Sequence, residues 1–175
     1  MVRRVSPVRE VRPGYVVTHP NRERGRSRAT RVAVAALLVI SALLMATLTV
    51  GGWSKLDGLP AVNLAWCCAY VVIARYVLRW ARGMLPIAAA LGALMLAFTV
   101  ISVSSLDGTT WAQRGRPGYA PTHTLFGGVG LSANTLSTLT LAIAFSQALL
   151  ILVGLYGFGQ RWQVEYDVPA SAAKG

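Results

Sequence analysis

The chain reads as an all-α integral membrane protein, a four-transmembrane-helix bundle with both termini on the cytoplasmic side. Three observations predict this fold class. Four apolar runs are each long enough to span a bilayer, basic residues gather in the segments that would share one side of it, and only 13% of the 175 residues are charged. A soluble domain carries about a quarter of its residues charged, spread along the chain.

A hydrocarbon core about 30 Å thick takes roughly 20 apolar residues of helix to cross. By that ruler the spans are residues 32–53, 60–78, 84–103 and 134–158. Their central parts hold no Asp, Glu, Lys or His. Arg75 lies a turn from the end of the second run, where its stem can reach the headgroups. The spans divide the chain into a basic arm (1–31), a transmembrane domain (32–158, with an outer loop at 104–133) and a C-terminal tail (159–175).

The arm holds nine arginines and two glutamates among frequent Pro and Gly. Such a segment cannot bury enough apolar surface to offset the entropy of ordering, so disorder is expected. The arm, the connection carrying Arg75, Arg79 and Arg82, and the tail carrying Arg161 and Lys174 together contain 14 of the 17 basic residues. All three fall on one side of a four-span chain, which the positive-inside rule makes cytoplasmic, with the cell membrane as the expected location. Aromatic residues agree, Trp53 and Trp111 falling near the outer interface and Tyr76, Trp80, Phe158 and Trp162 near the inner one. The first span is expected to be retained, since it is longer than a signal core and Val50-Gly51-Gly52-Trp53 is a poor cleavage site.

The net charge of +11 has two readings. Beside an anionic leaflet each basic residue contributes about 1 kcal/mol, so Arg22, Arg24, Arg26, Arg28 and Arg31 are expected to hold the arm against inner-leaflet lipids. Nucleic acid is not an expected partner, because Tyr15 is the only aromatic residue in the arm.

Two internal echoes stand out. At an offset of 50 residues, Leu44-Met45 recurs as Leu94-Met95, Thr49-Val50 as Thr99-Val100, and Ser54-x-Leu56-Asp57-Gly58 as Ser104-x-Leu106-Asp107-Gly108. Arg79-Trp80 and Arg161-Trp162 close the second and fourth spans alike. Duplication of a helical hairpin is one reading; shared helix-stop chemistry, an Asp and a Gly just past each helix end, is the other. Asp57 and Asp107 are thus either turn formers or paired carboxylates for a cation or an amine. The second echo is Arg12-Pro13-Gly14-Tyr15-x-x-Thr18-His19, repeated as Arg116-Pro117-Gly118-Tyr119-x-x-Thr122-His123. Pro-Gly sets a type II turn in each copy. The two histidines are expected on opposite sides of the bilayer, too far apart and too few to hold a metal. Cys67 and Cys68, adjacent within an apolar run, read as packing residues.

No catalytic, cofactor or metal constellation emerges. Gly127-Gly128-Val129-Gly130 follows no strand and lacks the lysine of a phosphate loop. The long outer loop is the natural place for an interaction surface, because its aromatic and arginine side chains are the types that anchor interfaces. The candidates are Asp57, Asp107, Trp111, Arg114, Arg116, Tyr119 and His123; the competing reading is a solvated loop on the headgroups. Within the spans the polar residues are Ser41, Thr47, Ser137, Thr138, Thr140, Ser146 and Gln147, with Asn63 and Asn134 near helix starts. Without an intramembrane carboxylate or histidine, a self-contained ion-coupled transporter is not expected. These groups read as packing contacts, together with Ala88-x3-Gly92, Ala89-x3-Ala93 and Ala142-x3-Ser146. Gln147, an amide near mid-depth, must find a partner on another helix, in this chain or a neighbouring subunit.

Gly52-Trp53-Ser54-Lys55-Leu56 resembles the G-x-x-K-L signature that closes the first helix of DoxX and MauE-like four-span membrane proteins. The resemblance implies a four-helix bundle with a redox or accessory role. The expected function is an accessory or assembly subunit that contacts a membrane-protein partner or forms a homo-oligomer. The alternative is a lipid- or small-molecule-handling protein, such as a DoxX/MauE-like redox accessory or permease component, with its site at the outer helix ends and long outer loop.

Overall fold

A computed structural model describes residues 15–56, 59–103 and 121–169. It is mostly helical, and four of its helices are long and apolar enough to cross a membrane. In chain order the elements are β1 (Tyr15–Thr18), α1 (Pro20–Glu23), α2 (Gly25–Gly51), a 3-10 turn (Trp53–Lys55), α3 (Pro60–Leu78), α4 (Met84–Val103), α5 (Ala133–Gly159) and β2 (Tyr166–Pro169).

Local chemistry sets most boundaries. Pro60 opens α3, where its missing N–H is no loss. Ser132 caps α5, its side chain accepting from the Thr135 amide at 3.2 Å. Trp80 and Arg161, in the turns after α3 and α5, take positive φ values of 64° and 49°, the left-handed conformation that commonly ends a helix. The first long helix begins seven residues before its apolar run. Arg26, Arg28 and Arg31 are good helix formers, and the interleaved Ser27 and Thr30 are buried.

Two expectations need amending. The arm is structured from Tyr15 onward, and the described residues contain a small sheet as well as helices. β1 pairs antiparallel with β2, Val16 opposite Val168 and Thr18 opposite Tyr166, so the arm and the tail hold each other. The ordering that composition did not foresee comes from a partner strand about 150 positions away.

Buried positions along one seam of α2, α5 and α4 recur at alternating intervals of three and four. They are Val34, Leu38, Ser41, Met45 and Leu48 on α2, and Leu136, Thr140, Ile143, Gln147, Leu150, Gly154 and Gly157 on α5. On α4 they are Leu85, Ala88, Gly92, Met95 and Thr99. This is the seam spacing of helices packed at a shallow angle. α2 packs against α3 and α5, and α4 against α5, whereas the consecutive pair α3 and α4 touch little. Small residues permit the α4–α5 approach: a Cβ added at Gly92 would stand 3.4 Å from Ile151, and one at Gly154 would stand 3.6 Å from the Leu85 carbonyl oxygen. Ala93, by contrast, faces outward, so only the Ala88–Gly92 pair belongs to that seam.

At the end of α2 remote from the strands, the segment leading into α5 folds over the helix terminus. The Leu125 amide donates to the Val50 carbonyl at 3.1 Å and the Leu131 amide to that of Gly51 at 2.9 Å, filling acceptors that the helix itself leaves unpaired. The approach needs glycine on the loop side, because a Cβ on Gly130 would lie 2.7 Å from the Gly51 carbonyl oxygen. Gly130→Ala is therefore expected to destabilise the protein by about 1–3 kcal/mol, read as a lowered melting temperature in detergent. Gly159→Ala, with open space around the new methyl group, should change little.

Candidate functional site

The two ends of the helices are chemically different. At one end the start of α2 and the end of α5 meet the α3–α4 turn. Trp162, 0% exposed, packs edge to face on Trp80 at 5.3 Å between ring centroids. Its indole N–H donates to the Gln160 side-chain oxygen at 2.9 Å, and the Gln160 amide donates to the Thr30 hydroxyl at 2.9 Å. Arginines satisfy the carbonyls there. Arg31 Nη1 donates to Leu78 O at 3.3 Å with its guanidinium 4.3 Å over the Trp80 ring, and Arg82 Nε donates to Phe158 O at 2.9 Å with its guanidinium over the Phe158 ring. Arg22 Nε donates to Trp162 O at 3.1 Å. Of the five arginines expected to face lipid, Arg22 and Arg31 thus bond within the chain, whereas Arg24, Arg26 and Arg28 are exposed.

A polar layer crosses the middle of the helices. The Tyr70 hydroxyl donates to Gln147 Oε1 at 2.6 Å, Gln147 Nε2 donates to Ser146 Oγ at 3.3 Å, and Ser146 Oγ lies 3.0 Å from Ser41 Oγ. The layer joins α2, α3 and α5, and Gln147 is fully buried within it. Gln147 therefore has its partner inside the chain, on α3. Tyr70 is the member that sequence reasoning missed, because tyrosine in a membrane chain is usually read as an interfacial anchor. Cys67, one turn before it, points its thiol at Ala42 O at 3.4 Å, while Cys68 is exposed.

One turn beyond this layer, away from the arginine end, lies a cavity of about 280 Å³. Its inner wall includes Met45, Trp66 and Ile143, which stand four residues from Ser41, Tyr70 and Gln147 of the layer, with Met95 of α4 beside them. Its rim is Leu59, Val62, Phe98 and Ile101, all exposed on the outside of the chain at the α3–α4 seam. Trp66 and Phe98 meet edge to face across the seam at 6.3 Å. A few polar side chains, Asn63, Thr99, Ser102 and Thr140, punctuate the apolar lining. Concave, mostly apolar space with a few polar groups is the form that small-molecule sites take, though those run roughly 300–1,000 Å³ and this one sits at the lower edge.

Of the residues proposed from sequence for an interaction surface, Asp57, Asp107, Trp111, Arg114, Arg116 and Tyr119 lie outside the described residues. His123 lies at the remote end, its amide donating to Ser54 Oγ at 2.8 Å and its carbonyl accepting from the Ser54 amide. The other histidine, His19, is at the arginine end, 3.3 Å from Glu165. Among the described residues no three of His, Cys, Asp and Glu come together.

Compared with known protein families, with curated proteins and with solved structures, the chain matches none. The likeness to DoxX and MauE-like proteins therefore rests on five residues alone. In the fold these are Gly52, the 3-10 turn and the buried Leu56, a helix end and the turn that follows it.

Tyr70→Phe leaves the buried Gln147 oxygen without its donor and is expected to cost about 0.6–2 kcal/mol in detergent unfolding. Gln147→Leu should cost a similar amount. The double variant should cost clearly less than the sum, because removing both partners leaves no orphaned group; strict additivity would show the bond to be energetically idle.

Proposed function

We propose that the protein is a four-helix membrane bundle, both termini cytoplasmic, that holds an apolar, membrane-borne molecule in the cleft between α3 and α4. One observation carries the reading: among the described residues the rim of the cavity is made of apolar side chains exposed on the outside of the helices, so in a bilayer its mouth would open to hydrocarbon. A ligand reaching it comes from the bilayer. This favours the lipid- or small-molecule-handling alternative over an ion or solute carrier, and the described residues of the cavity lining carry no titratable side chain.

The orientation rests on charge. Arg24, Arg26, Arg28, Arg75 and Arg79 are exposed at the end where β1 pairs with β2, which suits an anionic inner leaflet at about 1 kcal/mol per residue. A second reading, the accessory or assembly subunit, draws on the opposite end. There Thr124 and Gly128 close a turn that holds Phe126 and Val129 outward, 85% and 93% exposed. Two large apolar side chains at a turn tip suit a contact with another membrane protein.

Two experiments test these readings. Ser102→Trp places a ring at the cavity mouth on a partly exposed position, and is expected to abolish retention of a bound apolar molecule, seen as a mass adduct on the purified protein, with the melting temperature nearly unchanged. Wild-type protein that emerges from mild detergent without any adduct, but in a stable complex lost on Phe126→Ser, would favour the accessory subunit. For orientation, tags at the N-terminus and beside Arg116 should differ in intact cells. The impermeant reagent should reach only the second, and labelling of the first would overturn the proposed topology.

A further inference from the structure

At the arginine end the contact between α2 and α3 opens outward onto a basic flank. Two hydrogen bonds fix the register of these helices: Arg31 reaches the Leu78 carbonyl, and Cys67 reaches that of Ala42. Eleven residues separate the two anchors on either helix, so the pair runs antiparallel, with Arg79 level with Thr30 and Arg75 level with Val34. Helical spacing then sets the faces. Arg28 is three residues before Arg31 and shares its α3-facing side of α2, whereas Arg26, four before Thr30, lies on the side that meets α5 through Gln160. On α3, Arg75 stands three residues before Leu78 and four before Arg79, away from the buried stripe of Tyr70, Ile73 and Val77.

Arg28, Arg75 and Arg79 are exposed and form no ion pair among the described residues. Arg28 with Arg31, and Arg75 with Arg79, are like charges three and four residues apart, a spacing at which they repel and at which an anion between them relieves the repulsion. Deeper along the same flank the exposed side chains are apolar, Val32 and Val39 on α2 and Leu64 and Val71 on α3. Resting on the membrane-bundle reading above, and not on the cleft, we propose that this flank binds an anionic phospholipid, one whose headgroup leaves the phosphate charge unbalanced. Arg28, Arg75 and Arg79 take the phosphate, and the acyl chains lie along the valines and Leu64. Guanidinium suits the role because its planar fork meets two phosphate oxygens at once. Arg75, a turn deeper than Arg79, reaches the phosphate by extending its stem toward headgroup level. Position therefore matters as well as charge: Arg26 carries the same charge at the same end, but on the far flank, and takes no part.

Native mass spectrometry of the full chain released from maltoside micelles compares dioleoyl phosphatidylglycerol with dioleoyl phosphatidylcholine, which share their chains and differ in headgroup charge. Wild type is expected to prefer the first by about fivefold for each arginine engaged. Arg28→Gln and Arg75→Gln should each lower that preference about fivefold. Both positions are exposed, so melting temperatures in lipid-free detergent should hold. Arg26→Gln, the same change of charge, should leave the preference intact. Equal binding of the two lipids by wild type overturns the site. Loss of the preference on Arg26→Gln does so too, since it shows diffuse charge in place of a site. Displacement of phosphatidylglycerol by millimolar inorganic phosphate overturns the lipid assignment in favour of a soluble anion. If Arg28→Gln or Arg75→Gln does not fold, wild type and Arg26→Gln decide by themselves. Protein that stays soluble without detergent sinks the bundle reading itself, whereas equal binding of the two lipids sinks only this site.

Discussion

The constraint on which this structure rests is that hydrogen-bonding groups out of reach of water must be paired within the chain. The interior of each helix meets it unaided. Several hydroxyls meet it locally, those of Thr47, Thr49 and Thr140 bonding the carbonyls of Leu43, Met45 and Leu136 one turn back. Helix ends are the harder case, since each leaves carbonyls without partners. The two ends of the molecule solve it differently. Loop amides cover Val50 and Gly51, whereas guanidinium groups cover Leu78 and Phe158. Arginine thus does two things at one end: its charge suits an anionic surface, and its fork of donors closes helix C-termini, where the dipole also favours a cation.

The existence of the four long helices was legible in the sequence because length and apolarity suffice, and so was the extent of the last three; the first begins seven residues earlier, in arginine-bearing chain that apolarity does not flag. Which face of each helix is buried was not legible. In water a helix shows its core face as an apolar stripe, but here both faces are apolar, and the outward side is in places the more so. Leu43, Leu141, Phe145 and Leu152 point outward while Ser41, Thr140, Gln147 and Gly154 point inward. The signal lay in the small and polar residues: Thr140, Gln147 and Gly154 recur every seven positions on α5, and reading that spacing would have located the seam. Tyr70 was hidden for another reason, since its ring is at home at an interface and only the position of Gln147 on a different helix gives its hydroxyl a buried use.

The pairing of β1 with β2 was beyond any local reading. A four-residue strand flanked by arginines has no composition that demands order, and the partner strand lies at the far end of the chain. The helices supply what the strands lack. By setting the start of α2 beside the end of α5 they turn a long loop closure into a short one, and Asn21 and Arg22 then reach the Arg161 and Trp162 carbonyls. The same dependence explains why the first copy of the Tyr-x-x-Thr-His repeat forms a strand. Its sequence permits extension, and the strand beside it makes extension favourable.

The cleft follows from the same asymmetry of packing. α2 and α5 carry long uninterrupted seams, and α4 is held through α5, so α3 and α4 are neighbours in sequence that need not meet. In water such a gap between apolar faces would be strongly disfavoured. In a bilayer it is not, because hydrocarbon fills it at little cost and no hydrophobic force draws the helices together. An open seam is therefore weak evidence of function on its own. What distinguishes this one is its lining, since Trp66 and Phe98 meet edge to face across the seam while Asn63, Thr99 and Thr140 set a few polar side chains in an otherwise apolar wall.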